Sequence, residues 1–243
     1  VTEAPPPGWR LRVEESLPST SDLLLRLAAA GEPEGLAVLA RSQTAGRGRE
    51  GRGWSSPPGN LYLSVLLRPS GLARDAGCFA LLAAVTLAEA LEQDLSDPAA
   101  LRLKWPNDLL LGGAKLAGVL CESAAAPDGT LEWLVMGLGA NLAVAPDLPE
   151  RPTARLPAPV APEKVALRVL HALDAWRGRM AAEGLDPLRD AWMRRGPEPG
   201  ARLTLRGGAA VTTGLYRGLD RDGALLLETN GRIRRFASGE VAG

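Results

Sequence analysis

Residues 101–142 read LRLKWPNDLLLGGAKLAGVLCESAAAPDGTLEWLVMGLGANL. Four apolar runs, LRLKW, DLLLG, KLAGVLCE and LEWLVMGLGANL, are separated by Gly, Pro and Asp, the residues that reverse a chain. Runs this short and this closely punctuated read as strands of one sheet. Working outward, WRLRVEE (9–15) alternates as a strand, and LPSTSD then opens a helix. Ser19 or Thr20 serves as N-cap, Asp22 favours the positive end of the helix dipole, and Gly31 is a natural C′ residue. LAVLARS (36–42) and NLYLSVLLR (60–68) are further strands, and residues 76–93, 163–182 and 186–195 are helices. The expected fold class is α+β, a mixed β-sheet packed by helices. A proline-rich surface connection spans Pro146–Pro162, and RGPEPG (195–200) is a boundary. Beyond it ARLTLR, AAVTTGLYRGL, GALLLET and GRIRRFAS predict a small SH3-like β-barrel of four strands. The expected domains are 1–196 and 197–243.

Composition narrows the function classes. The 243 residues are 46% hydrophobic, enough for a substantial core, and 28 Lys+Arg balance 28 Asp+Glu. A neutral chain has no global field to condense on nucleic acid, so such binding would need a local patch. No apolar run reaches the ~18 residues of a membrane span, and VTEAPPPGWR is not a signal peptide. Cys78 and Cys121 cannot build a disulfide framework or a Cys-rich zinc site, which fits a reducing, cytoplasmic setting. The single His171 lies in an amphipathic helix pattern and removes most His-based metal and triad chemistry. Lysine is rare: only Lys104, Lys115 and Lys164 occur, and two of them fall in the strand-rich stretch.

Three clusters carry chemistry. The first is Ser42–Trp54, SQTAGRGREGRGW. Gly46, Gly48 and Gly51 satisfy G-x-G-x-x-G, but GRGWSSPPGN follows where a Rossmann site needs a helix. Kinase and Walker elements are absent. What remains is a flexible loop whose glycines admit an anion to the backbone and whose Arg47, Arg49 and Arg52 can grip carboxylate or phosphate. A mobile, solvated Arg/Gly turn or an RGG-like nucleic-acid segment also fits this loop taken alone. The second cluster is Lys104-Trp105-Pro106-Asn107-Asp108 with Lys115-Leu116-Ala117-Gly118 downstream. The Trp-Pro step puts Asn107 and Asp108 at a strand end. The third, Gly137-Leu138-Gly139-Ala140-Asn141, ends a strand on two glycines, which marks close approach of a ligand or backbone.

Together these clusters resemble the biotin protein ligases. GRGREGRGW is similar to that family's Gly/Arg loop, KWPND with KLAG to its Lys motifs, GLGAN to its G-x-G-x-N strand end, and Ser19-Thr20 to its Ser-Thr pair before the first helix. The resemblance implies the biotin–lipoate ligase fold, class II synthetase-like, and a two-step reaction. Biotin and ATP with Mg2+ form biotinyl-5′-AMP, and biotin then passes to a lysine of a biotin carboxyl carrier protein. It implies catalytic roles for Lys115, Arg47 and Arg49. It implies biotin contacts at Ser19, Thr20, Ser21, Gln43, Gly46, Arg47, Gly48, Arg49, Lys115, Gly118, Gly137 and Gly139. ATP would meet Arg49, Arg52, Trp54, Asn107, Asp108, Lys115 and Asn141, with Trp54 over the adenine and Asp108 the one candidate for the magnesium shell. A homodimer is allowed; no DNA or membrane partner is expected. The few residues before Trp9 leave no room for the winged helix of some relatives, so a short form is expected. Ser21 departs from the family's usual Asn or Asp, and Glu50 stands where a basic residue is common. A lipoate protein ligase is the nearest enzyme alternative, and the RGG-type binding module is the alternative without catalysis.

Overall fold

The strands form a seven-stranded sheet in the order β1-β2-β3-β7-β6-β5-β4. The computed structural model describes residues 4–149, 151–207 and 210–242. The first expected domain thus has residues 1–3 and 150 outside the description, and the second has 208, 209 and 243. The strands are β1 (Arg10–Glu14), β2 (Leu36–Ala40), β3 (Leu61–Leu67), β4 (Leu101–Lys104), β5 (Asp108–Leu111), β6 (Ala114–Ala125) and β7 (Leu131–Ala140). Only β1 and β2 pair in parallel; the other neighbours are antiparallel, so the sheet is mixed as its sequence predicts. Helix α1 (Thr20–Ala29) follows β1, α2 (Cys78–Glu92) follows β3, and α3 (Pro162–Glu183) and α4 (Asp186–Arg195) follow β7. The Ser19 hydroxyl accepts the Asp22 N–H at 3.2 Å, which makes it the N-cap of α1.

The two faces of the sheet are covered unequally. Side chains alternate across a strand, so Leu61, Leu63, Val65 and Leu67 of β3 point to one face, into a core shared with α2 and α3. On the other face Leu66, Val38 and Val135 pack under Leu24 and Ala28 of α1. That helix is ten residues long, and it covers only one end of its face. The uncovered end holds the candidate site.

The C-terminal segment departs from its expectation. It has five strands, β8 (Arg202–Gly207), β9 (Ala210–Leu219), β10 (Leu225–Thr229), β11 (Arg232–Phe236) and β12 (Glu240–Val241), in the order β11-β10-β9-β8-β12. The run expected to open at Ala209 is described from Ala210 onward. β12 is two residues long, too short to carry an alternation signal, and for that reason the sequence showed four runs. The five strands pair antiparallel throughout, and among the described residues no ladder joins β11 to β12. Leu205, Tyr216, Leu219, Leu225, Leu227 and Val241 belong to the same hydrophobic cluster as α2 and the large sheet. Among the described residues no helix is long and apolar enough to cross a membrane.

Candidate active site

Strand register lays out the floor of the site. Tyr62 pairs with Gly139, Gly139 with Gly118, and Gly118 with Asp108; in the next row Ser64 pairs with Gly137 and Gly137 with Leu120. Three of the floor positions are therefore glycines. A Cβ on Gly137 would lie 2.7 Å from Ser21 Oγ, and one on Gly139 would lie 2.7 Å from the Trp54 indole. The absent side chains make the cleft, and the hydroxyls of α1 and the Trp54 ring lie over it.

At one end of the cleft the groups are neutral. Thr20 Oγ1 lies 2.8 Å and Ser21 Oγ 3.0 Å from Ser64 Oγ, all three buried. Gln43 Oε1 accepts the Thr20 backbone N–H at 2.8 Å, and its Nε2 donates to Ser56 Oγ at 3.0 Å. Ser64 was not singled out from the sequence. Its signal was present: the one serine in the otherwise apolar or aromatic run LYLSVLL, on the same face as Tyr62 and the glycines.

The other end is charged. Lys115 and Asp108 are both buried, and Lys115 Nζ donates to Asp108 Oδ1 at 2.5 Å. Burial holds the Lys115 ammonium below the ordinary lysine range, a shift that the Asp108 carboxylate partly offsets. Its Nζ lies 5.4 Å from the centre of the Trp54 ring, within cation–π range. The Trp54 Nε1–H is buried without an acceptor among the described residues. Arg151, from the proline-rich connection, stands 3.9 Å from Asp108 Oδ2. Glu240 of β12 pairs with Arg52 at 3.0 Å; burial pushes its carboxyl up, but the Arg52 hydrogen bond and charge hold it below its usual range. Arg151, Glu240, Tyr62 and Ser64 line the same cleft and were all missed by sequence reading. Arg151 and Glu240 lie in segments that carry no motif and reach the site only through the fold.

The Gly/Arg segment is a small hairpin. The Trp54 N–H donates to Gly46 O at 2.9 Å and the Gly48 N–H to Arg52 O at 2.7 Å, and Arg47 bridges to Gly53. At its tip, where no regular structure was expected, a single 3-10 turn covers Arg49–Gly51, with Glu50 at φ 56° and Gly51 at φ 73°. The three arginines leave the hairpin in different directions. Arg47 pairs with Asp22 and Glu122, and Arg52 with Glu240. Arg49 instead donates to two neutral oxygens, Asn107 Oδ1 and Gly239 O, each at 3.3 Å. Among the described residues it has no carboxylate partner, so its charge is available to an incoming anion. The salt bridges at Arg47 and Arg52 also leave the loop less like a free RGG segment than its sequence alone suggests.

Most of the expected site residues gather here: Ser19, Thr20, Ser21, Gln43, Arg47, Gly48, Arg49, Arg52, Trp54, Asn107, Asp108, Lys115, Gly118, Gly137 and Gly139 line one cavity of about 60 Å³. Two expected residues lie behind it. Gly46 lies at the root of the hairpin, where a Cβ would meet Trp54 O at 2.4 Å. Asn141 donates from its amide to Ala154 O at 3.0 Å and Lys115 O at 3.4 Å, and so braces the Lys115 backbone. The Trp105–Pro106 peptide beside Asn107 is cis.

Residues 13–141 match the biotin/lipoate A/B protein ligase family, and residues 201–242 match the biotin protein ligase C-terminal domain. The chain is 39% identical over 199 residues to a biotin–[acetyl-CoA-carboxylase] ligase of Paracoccus denitrificans, covering 78% of this chain and 82% of that protein. It is 34% identical over 247 residues to the Mycobacterium tuberculosis protein of the same description, covering 96% and 89%. Among solved structures, the biotin protein ligase of Aquifex aeolicus in complex with biotin and ATP superposes with a TM-score of 0.78 at 27% identity, over 96% of this chain and 97% of that one.

Proposed function

Since the chain belongs to the biotin/lipoate A/B protein ligase family, we propose that it is an ATP-dependent biotin protein ligase acting through this cleft. It joins biotin to ATP as biotinyl-5′-AMP with release of pyrophosphate, then transfers the biotinyl group to a lysine of a biotin carboxyl carrier protein with release of AMP. The observation that carries the assignment is the division of one glycine-floored cleft into a neutral hydrogen-bonding end and a cationic end.

The neutral end suits a ureido ring, which offers a carbonyl and two N–H groups. The hydroxyls of Ser19, Thr20, Ser21 and Ser64 and the Gln43 amide supply donors and acceptors there without charge. A site built on such bonds rejects analogues that leave them unmade. This favours biotin over lipoate, whose ring has no such groups, and the two relatives described above carry the same assignment.

The cationic end suits the chemistry. A carboxylate oxygen must attack the α-phosphorus while the α–β phosphoanhydride bond breaks, so anions are pressed together and fixed cations lower the barrier. Lys115 and Arg49 are assigned to the reacting carboxylate and α-phosphate, and Arg52 and Arg151 to the leaving pyrophosphate. Trp54, seated on Gly139, is assigned to the adenine face, and the nucleotide supplies acceptors for its unpaired N–H. In the second half-reaction the carrier's lysine amine attacks the acyl carbonyl, AMP leaves and a proton is released; Asp108, at the cleft, is assigned to orienting that amine.

Magnesium is assigned to the nucleotide rather than to a cage in the protein. Among the described residues no group of three or more His, Cys, Asp or Glu could hold a metal ion. Mg2+ commonly takes one or two carboxylates together with substrate phosphates; Asp108 and Glu240 are the cleft carboxylates that fit, and the ion would neutralise phosphate charge there. We assign residues 1–196 to catalysis and 197–243 to a C-terminal unit that closes the cationic end, and place the reaction in the cytoplasm. The test is transfer of labelled biotin or labelled lipoate to a purified biotin carrier domain. Labelling by biotin alone supports the assignment; labelling by lipoate alone, or by neither, contradicts it.

A further inference from the structure

Arg47 was expected among the catalytic cations, yet its guanidinium is held by two carboxylates outside the cleft. Its Nε lies 2.9 Å from Asp22 Oδ1, in the first turn of α1, and its Nη2 lies 2.5 Å from Glu122 Oε2, on β6. Helix α1 packs on β3 and β7, and β6 is the next strand of the sheet. The side chain therefore ties together the hairpin, the helix that carries the site hydroxyls and the far wall of the cleft. Neither Asp22 nor Glu122 lines the cavity. A cation neutralised twice contributes little field to a transition state, but it fixes the root of the hairpin to α1 and β6.

We propose that Asp22 and Glu122 are positioning residues that hold Arg47 as a strap over the neutral end of the cleft, and that this strap sets how long the acyl-adenylate is retained. The inference rests on the ligase assignment and deepens it. An acyl-adenylate reacts with water or with any nearby amine, so a closed hairpin must hold it until the carrier arrives. Side-chain exposures of 36%, 36% and 28% at Arg47, Asp22 and Glu122 mean that each pair taken alone is weak. They also mean that dissolved salt will screen the strap.

The test is the double variant Asp22→Asn, Glu122→Gln in the full chain. Dissociation of biotinyl-adenylate should be about tenfold faster, equal to about 1.4 kcal/mol. The saturating rate of biotin-dependent pyrophosphate exchange should stay within about threefold, because no reacting group has been removed. Raising salt from ~50 to ~500 mM should speed dissociation from the unmodified chain and do so far less in the variant, a readout that a merely structural role would not move. Asp22→Glu, which keeps the charge, should retain biotinyl-adenylate where Asp22→Asn releases it faster. Dissociation unchanged in the double variant, or an unchanged salt response, overturns the strap. Amide exchange at Gly48 and Trp54, whose N–H groups close the hairpin, tests it without any ligand. About tenfold faster exchange in the double variant supports the strap and unchanged exchange overturns it. A failure of the ligase assignment would show instead as no adenylate formed by the unmodified chain.

Discussion

Lys115 enters the cleft from the start of β6, and its backbone is fixed on both sides: its N–H donates to Pro152 O and its carbonyl accepts from Ala154, each at 2.9 Å. A buried ammonium held this way stabilises developing charge without reorganising, so Lys115→Ala should lower biotin-dependent pyrophosphate exchange by at least ~10²-fold. A rate within about threefold of the unmodified chain would remove Lys115 from the mechanism. The proton on that ammonium also predicts a pH profile. Because burial lowers its affinity for the proton, exchange should fall on the alkaline side at a pH below the ordinary lysine value of 10.5. Lys115→Arg keeps the charge at every accessible pH and should abolish that alkaline limb, though at a reduced rate, since a planar fork does not replace a point charge. An unchanged limb in this variant would assign it to another group. Gly139 gives a steric counterpart. A Cβ there would meet the indole at 2.7 Å, so Gly139→Ala should displace Trp54 and raise the KM for ATP by about tenfold while leaving the KM for biotin within about threefold. An unchanged KM for ATP would mean that the indole does not seat the nucleotide.

At the scale of elements, the hairpin of residues 46–54 carries the control. Among the described residues its tip arginine, Arg49, is anchored only by two neutral oxygens, so Arg49→Gly should both slow adenylation and loosen the lid. Biotinyl-adenylate should then escape and label lysines of bystander proteins, scored by blotting a mixed-protein reaction for biotin. Labelling confined to the carrier would contradict this. The sequence made the chemistry of the segment legible, because glycine and arginine at this spacing have few structural uses, and it exposed the regular elements on either side. It did not reveal a hairpin, since the hydrogen bonds that close it are backbone to backbone and depend on no particular side chain. Nor did it reveal which arginine is free. That depends on Asp22, Glu122 and Glu240, which come from α1, β6 and β12 and converge only in the folded chain. Ser64 is intermediate: the register that puts it beside Gly137 is tertiary, but its place on a period-two face was already in the sequence.

For the whole molecule, the two sheets behave as one packed body. They share a hydrophobic cluster, and polar ties cross between them: Trp105 Nε1 donates to Gly223 O at 3.0 Å, and Arg49 and Arg52 reach Gly239 and Glu240. Calorimetry of the ligand-free protein should therefore give a single unfolding transition. Two separated transitions would show that the C-terminal sheet is an independent appendage and would weaken its assigned part in closing the cleft. Residues 195–200 read as a boundary, and α4 ends at Arg195 before β8 begins at Arg202, but the sequence could not report this shared core. The alternating runs beyond it have the same appearance whether their inner face packs on itself or on α2.

That this cleft joins biotin to ATP is measured most directly by exchange of labelled pyrophosphate into ATP by the purified chain. Exchange that requires biotin, is not supported by lipoate and is lost in Lys115→Ala is the predicted result. Exchange that proceeds equally with lipoate, or no exchange with either acid, would contradict it.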